Sequence, residues 1–539
     1  MCGILLHFQK QGNFKDSAVF GSDRVFKSLI PIIRERGGDH ENYMTYEHTE
    51  IYSSVLSLRQ PIARQPISDE RFVIQFNGEL YNKGITKGMN DVEYLHAKLS
   101  NDYKGRVIET IGHLEGEFAY SIYDKMERKI YFGKDILGRK SLCFSTKACD
   151  GLYISTCPPW NSEDRVNFNE CEKAKVYVYD LETCELGNIP FDTSSLLPCS
   201  YKVLNNVTDN VDRNKLISQL HVELSKSVER RISTIFPLKE ASTKSKFAIL
   251  YSGGIDCTIL AGICGEICQE NTIIDLLNVS FSNPRAKLSY DETPDRTLAI
   301  KNCQKLNEKY NKANKVYFNL VKVNIPYESY QKAKDRVIKL IYPNDTEMDL
   351  SIAIAFYFAS SGVNSEGQDS ECKVLLSGLG ADELFGGYTR HERIFTGISN
   401  QVKRKLKNKP ANDTNTYDLN ELNKELRDEL QCDLDRLWER NLTRDDKVIC
   451  SWNKEVRYPF LDESFVKWVT TEGAIPLNWK LNYKKETGEI TRKKALRELA
   501  DLMGLHFVAQ EPKRAIQFGS KSAKMDIGSG KVKGTDKLA

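Results

Sequence analysis

Two different spacings of apolar and polar positions divide this chain. Up to about residue 190, apolar residues come in short runs closed by turn residues: RFVIQF at 71–76 leads into Asn77-Gly78, and FAYSIYD at 118–124 follows Gly116. Runs rich in aromatic and β-branched residues, ended by Asn-Gly or Gly, predict strands joined by tight turns. Helical spacing is scarce there, with DVEYLHAKL at 91–99 placing Val92, Leu95 and Leu99 on one face. This half therefore predicts packed β-sheets with flanking helices. Residues 190–215 lose periodicity and gain Pro, Ser and Asn, which predicts a linker or crossover. Beyond it the spacing alternates: KFAILY (246–251), DLLNVSF (275–281) and FNLVKVNI (318–325) predict buried strands, with helices after the first and near 296–310. Strand-helix alternation predicts a doubly wound parallel sheet. The expected division is 2–190, a linker at 191–215, a second domain at 216–520 and a basic tail at 521–539.

Length supports that division, because 539 residues exceed what one core holds. The 77 basic and 74 acidic side chains leave a formal charge of +3, so nothing calls for nucleic acid or a membrane as partner. The start, Met1-Cys2-Gly3-Ile4-Leu5-Leu6-His7, lacks a basic segment followed by an apolar run of signal length, and the reading is a cytoplasmic protein. Fourteen Cys without a C-x-x-C pair, beside eight His, suggest neither a disulfide framework nor a zinc site. The charged stretch 401–430 and the Lys, Gly and Ser-rich segment after Gly519 read as surface material.

Candidate chemistry begins at Cys2, which carries both a thiol and a free α-amine once Met1 is removed. An α-amine with a pKa of about 7.7–8.0 can take the thiol proton directly or through water. The turn Asn77-Gly78-Glu79 offers an amide side chain and a glycine N–H to an oxyanion. Arg59 could fork onto an α-carboxylate, and Asp91 at a helix start could accept from an α-ammonium. With MCGI at 1–4, RERGGD at 34–39, NGELYN at 77–82, NDVE at 90–93 and EGEFAYSIYD at 115–124 in order, the sequence resembles the class II glutamine amidotransferases. That resemblance implies Cys2 as nucleophile, Asn77 and Gly78 as oxyanion hole, and Arg59, Glu79 and Asp91 as glutamine binders. It also implies an αββα sandwich of the N-terminal-nucleophile type.

Tyr251-Ser252-Gly253-Gly254-Ile255-Asp256-Cys257 joins a predicted strand to an apolar helix, a setting in which backbone N–H groups face phosphate. Asp256 would meet phosphate only through a bridging Mg²⁺. The run resembles the S-G-G-x-D-S loop of ATP pyrophosphatases, with Cys257 replacing the final Ser. VLLSGLGADELFGGY (374–388), EVRYPFLD (455–462) and RKKALRE (492–498) are similar to asparagine synthetase signatures. By position, Leu250, Ser252, Gly253, Gly254, Ser377 and Gly378 would hold ATP. Asp256 and Asp382 would bind Mg²⁺, with Glu383 nearby, and Lys493 would stabilise phosphate oxygens during adenylation. Two departures accompany the resemblance: Leu379 replaces a Glu, and Asp349 stands where the family has an Arg that grips aspartate, so that a carboxylate there would repel aspartate. Both departures, with PKRAIQFGSKSAKM at 512–525, resemble the asparagine synthetase domain-containing protein 1 family.

The implied activity is release of ammonia from glutamine at Cys2, followed by ATP-dependent, AMP-forming amidation of a carboxylate. The acceptor is aspartate or, given Asp345 and Asp349, a positively charged acid. The alternative is a glutaminase alone, or a pseudoenzyme binding nucleotide or a protein partner, since leucine at 379 takes no proton. ATP and Mg²⁺ are the expected cofactors, a homodimer is left open, and an apolar ammonia passage is expected between the domains.

Overall fold

The computed structural model describes the whole chain except residues 1, 11–22, 87, 103, 147–150, 159–165, 192–200, 209, 239–244, 408–416, 527–532 and 539. The predicted linker and tail therefore lie partly outside the described residues. The first half holds two six-stranded antiparallel sheets. One runs, in spatial order, Asn169–Glu170, Cys143–Ser145, Gly151–Ser155, Cys2–Gln9, Thr49–Val55, His40–Tyr46. The other runs Leu186–Pro190, Lys175–Asp180, Lys129–Lys134, Gly116–Asp124, Phe72–Leu80, Ile67–Ser68. Alternation turns every second side chain inward, so Ile4, Leu6 and Phe8 of the first sheet meet Val73, Ala119, Ile130 and Phe132 of the second. Each such side chain withdrawn from water contributes about 1.5–3 kcal/mol. Helix Arg24–Arg34 packs on the first sheet and helix Asp91–Ala97 on the second, completing an αββα sandwich. Asn90 and Glu93 close a reciprocal cap on the latter helix, which passes at Lys98–Asp102 into a wider π turn.

The second half is built on a five-stranded parallel sheet, ordered Tyr317–Ile325, Ile273–Phe281, Ser245–Leu250, Val374–Leu376, Glu455–Arg457. Sequence order reverses between Ser245–Leu250 and Val374–Leu376. The loops leaving those two strands therefore diverge and open a crevice at their carboxyl ends. Two segments read as surface material pack inward instead. Helix Leu419–Leu437 buries Leu426, Leu430, Leu434 and Leu437, an apolar stripe hidden in the sequence by the charges around it. After Gly519, Ser520, Ser522 and Met525 are buried: Ser520 O accepts from Phe281 N (3.0 Å) and Ser522 Oγ donates to Ser351 O (2.6 Å).

Between the halves runs a seam of buried ion pairs. Arg36 meets Asp446 at 2.8 Å, Lys447 meets Glu170 at 2.8 Å, and Arg139 meets Glu463 at 2.6 Å. Arg231, fully buried, binds Glu117 at 2.8 Å and Asp462 at 2.9 Å. Charges withdrawn this far from water are tolerated only when paired, which fixes the register of one half against the other. Arg231→Ala leaves two carboxylates without their shared cation; unfolding in urea should show a loss of about 3–5 kcal/mol.

Candidate functional site

Cys2 opens the strand Cys2–Gln9 and is only 6 % exposed. Its backbone N donates to Asn77 Oδ1 at 2.8 Å, and Gln65 Nε2 reaches its Sγ at 3.0 Å. Burial pushes the thiol above its ordinary pKa, opposed by the terminal amine. The expected turn at Asn77-Gly78-Glu79 is not formed: all three lie in the strand Phe72–Leu80, where pairing with Gly116–Asp124 keeps the backbone extended. With Oδ1 committed to Cys2, the Nδ2 of Asn77 is buried and without a hydrogen-bond acceptor among the described residues. Gly78 has φ +140°, and an added methyl would sit 1.9 Å from Glu117 O, so only glycine fits.

Arg59, Glu79 and Asp91 form a buried triad beside this centre. Arg59 contacts Glu79 at 2.9 Å and Asp91 at 3.2 Å, while Glu79 also binds Arg457 of the other half at 2.8 Å. Burial and the neighbouring Glu79 push Asp91 up to about 7, against the pull of Arg59. Cys2, Arg59, Gly78, Glu79 and Asp91 line one cavity of about 20 Å³, room for roughly one water. A larger guest has to displace part of that lining.

A second cavity, of about 370 Å³, occupies the crevice at the carboxyl ends of Ser245–Leu250 and Val374–Leu376. Leu250, Ser252, Gly254, Asp256, Ser377, Gly378 and Asp382 line it. Gly253 completes the loop at φ +79°, pressed so closely on the helix Pro294–Asn314 that a methyl would lie 2.6 Å from Ala299 N. Asp256 stands in the first turn of helix Ile255–Ile267. Lys493 Nζ holds both Asp256 oxygens at 2.7 Å and Asp382 at 2.6 Å. Burial pushes Asp256 up, whereas at Asp382 burial is outweighed by Lys493 and Lys513, which hold it well below the usual carboxylate range. The two acids supply hard oxygen donors of the kind Mg²⁺ takes alongside phosphate oxygens. Among the described residues no group of three or more His, Cys, Asp or Glu forms a metal cage.

Lys513 was missed in the sequence. It pairs with Asp382 from 131 residues away, and its only sequence signal is its place in the 512–525 motif. The departures take on physical form. Leu379 lines the cavity as an apolar wall. Asp349 lines it too, but Arg444 binds it at 3.1 Å, which offsets the repulsion of an anionic acceptor expected from the sequence. Asp345 instead pairs at the surface with Lys537 at 2.8 Å, outside the cavity lining. Burial pushes the Cys257 thiol up to about 11, so it stays protonated, donating to Gly254 O at 3.3 Å.

Gly78→Ala should cost about 2 kcal/mol or more, read as a lower urea midpoint. Gly187→Ala, whose methyl would meet nothing closer than Val178 O at 3.9 Å, should leave the midpoint nearly unchanged.

The asparagine synthase family matches residues 239–531, and the glutamine amidotransferase domain family matches residues 1–159. An asparagine synthetase domain-containing protein of Saccharomyces cerevisiae is 39 % identical, with 100 % of this chain and 99 % of that protein covered. Human asparagine synthetase domain-containing protein 1 is 27 % identical over 98 % of this chain and 96 % of its own length. A putative glutamine-hydrolysing asparagine synthetase of Methanocaldococcus jannaschii is 26 % identical over 86 % of this chain and 80 % of its own. Among solved structures, a glutamine phosphoribosylpyrophosphate amidotransferase of B. subtilis aligns at 11 % identity over 46 % of this chain and 61 % of that chain, with a TM-score of 0.28. A thiol-bearing αββα sandwich joined to a parallel sheet with an acid- and lysine-lined crevice, matched along the whole chain, makes this protein a member of the asparagine synthase family, in its asparagine synthetase domain-containing branch.

Proposed function

We propose that the chain is a glutamine-dependent, ATP-using amide ligase whose acceptor is a carboxylate other than aspartate. The observation that carries the first half of this reading is the Asn77 amide, which holds Cys2 through Oδ1 and keeps Nδ2 buried and free for a developing oxyanion. With Met1 removed, the α-amine of Cys2 accepts the thiol proton and the thiolate attacks the glutamine amide carbon. Asn77 Nδ2 and the Gly78 N–H stabilise the oxyanion, each such donor being worth about 10²–10³ in rate. Ammonia leaves, and water hydrolyses the thioester to glutamate. Arg59 between Glu79 and Asp91 is complementary to a zwitterion: the guanidinium takes the α-carboxylate and the acids take the α-ammonium.

In the larger cavity, the loop Ser252–Gly254 with Leu250, Ser377 and Gly378 would cradle the nucleotide, and Asp256 and Asp382 would hold Mg²⁺, which screens phosphate charge when bound. Lys493 and Lys513 place two ammonium groups where pyrophosphate departs as the acceptor carboxylate becomes an acyl-adenylate. Ammonia then displaces AMP to give the amide. Leu379 supplies no carboxylate for that step, which argues against aspartate and favours an acceptor with an apolar flank. The described cysteines are free thiols, as a reducing compartment such as the cytoplasm would keep them.

Leu379 also favours a second reading, a glutaminase with a nucleotide-binding but inert second domain. Two assays on one preparation separate these. Glutamine hydrolysis should fall on the order of 10⁴-fold or more in Cys2→Ala, and ATP–pyrophosphate exchange should appear with at least one acid from a carboxylate panel and vanish in Lys493→Ala. Hydrolysis without exchange selects the second reading. Absence of both defeats the proposal.

A further inference from the structure

Seven carboxylates line the larger cavity, and six have partners. Asp256 and Asp382 hold Lys493, Asp349 and Asp445 hold Arg444, Glu383 accepts from Tyr388 at 2.5 Å, and Asp433 accepts from His391 at 2.8 Å. Asp295 stands apart. It is 5 % exposed, yet no side chain or backbone N–H among the described residues hydrogen-bonds or ion-pairs with its carboxylate. The nearest cations, Arg514, Lys513 and Lys521, act on it only at a distance, and burial pushes it up to about 7. A buried carboxylate without a partner is disfavoured unless a guest supplies the donor.

A second unpaired acceptor faces the same space. Gln517, 6 % exposed, lines the cavity, and its Oε1 is buried without a donor among the described residues. It belongs to the short helix Ile516–Gly519, which the chain lays beside the helix start that carries Asp295. The approach is close enough that a methyl on Gly519 would lie 1.9 Å from Asp295 Oδ1. Packing of the helix Ile516–Gly519 on the helix Pro294–Asn314 thus brings two acceptors from distant parts of the sequence to the same wall of the cavity, neither with a hydrogen-bond donor among the described residues.

We propose that Asp295 and Gln517 form a subsite that recognises a group rich in hydrogen-bond donors on the bound substrate. Two sources fit that chemistry: the vicinal hydroxyls of the nucleotide sugar, and a primary ammonium on the acceptor acid. Either brings donors to acceptors that have none, and a carboxylate or phosphate is repelled by Asp295. The inference rests on reading this cavity as the adenylation site. It assigns to residues 513–520 a part in substrate selection in addition to closing the fold.

The test is calorimetric binding to the full chain. One arm compares α,β-methylene-ATP with its 2′,3′-dideoxy form. The other adds, with α,β-methylene-ATP present, glutamate and β-alanine against glutarate and propionate. Wild-type protein should prefer the donor-bearing member of at least one set by about 10- to 100-fold, the size of a hydrogen bond to a charged group. Asp295→Asn and the near-isosteric Gln517→Glu should each change that preference while the thermal midpoint stays within a few degrees. The arm that responds names the source. Wild-type protein indifferent to both comparisons, or an unchanged preference in both variants, overturns the subsite alone. Failure of wild-type protein to bind α,β-methylene-ATP defeats the adenylation reading and the subsite with it.

Discussion

One carboxylate, that of Glu79, is held by two guanidinium groups from opposite halves of the chain, Arg59 at 2.9 Å and Arg457 at 2.8 Å. Because all three groups are buried, none can let go without leaving a charge in a medium that penalises it. Arg457 lies on the edge strand Glu455–Arg457, paired in parallel with Val374–Leu376, whose carboxyl end carries Ser377 and Gly378 into the larger cavity. The geometry of the small cavity around Cys2 and that of the large one are therefore set by the same few ion pairs. The rest of the seam, from Arg36 to Lys447, makes this placement stiff.

Much of this was legible in the sequence because it is local. A Cys after Met1, an Asn-Gly pair in an apolar run and a Gly-Gly turn between strand and helix each act within a few residues, and the strands at 72–80, 116–124 and 273–281 follow their apolar runs, the first continuing through Asn77-Gly78 where a turn was expected. What escaped was long-range or masked. Helix Leu419–Leu437 carries so many charges that its stripe of four leucines did not register. Asp349 read as a repulsive charge because its partner, Arg444, comes from a different helix. Lys513 and Gln517 could not be placed, since nothing in their spacing says that the chain returns across the crevice after residue 510. The ion pairs of the interdomain seam were out of reach for the same reason, since their charges find partners through contacts spanning hundreds of residues.

The two cavities also differ in kind. Around Cys2 the space is nearly filled, with Arg59 Nε and the Asn77 amide N–H buried and without acceptors among the described residues, which suits a site that rearranges to admit a small guest. At the sheet crevice the space is already open and lined by acids and bases in near balance, which leaves room for a larger and polar guest. Replacement of an acid by Leu379 turns one part of that crevice from a proton-handling wall into an apolar one. On the function proposed above, the substitution would alter the handling of an acceptor far more than that of a nucleotide.

The path of residues 513–525 has a bearing on biosynthesis. That segment supplies one wall of the crevice and is tied down through Asn283 Nδ2, which donates to Lys521 O and Ala523 O at 2.9 and 3.0 Å. Ribosomes make the chain in one direction, so the amino-terminal sandwich and most of the parallel sheet emerge well before this wall does. A nascent or prematurely ended polypeptide would carry the thiol centre yet lack a finished crevice, so the two centres stand complete together only after the last stretch of chain has emerged.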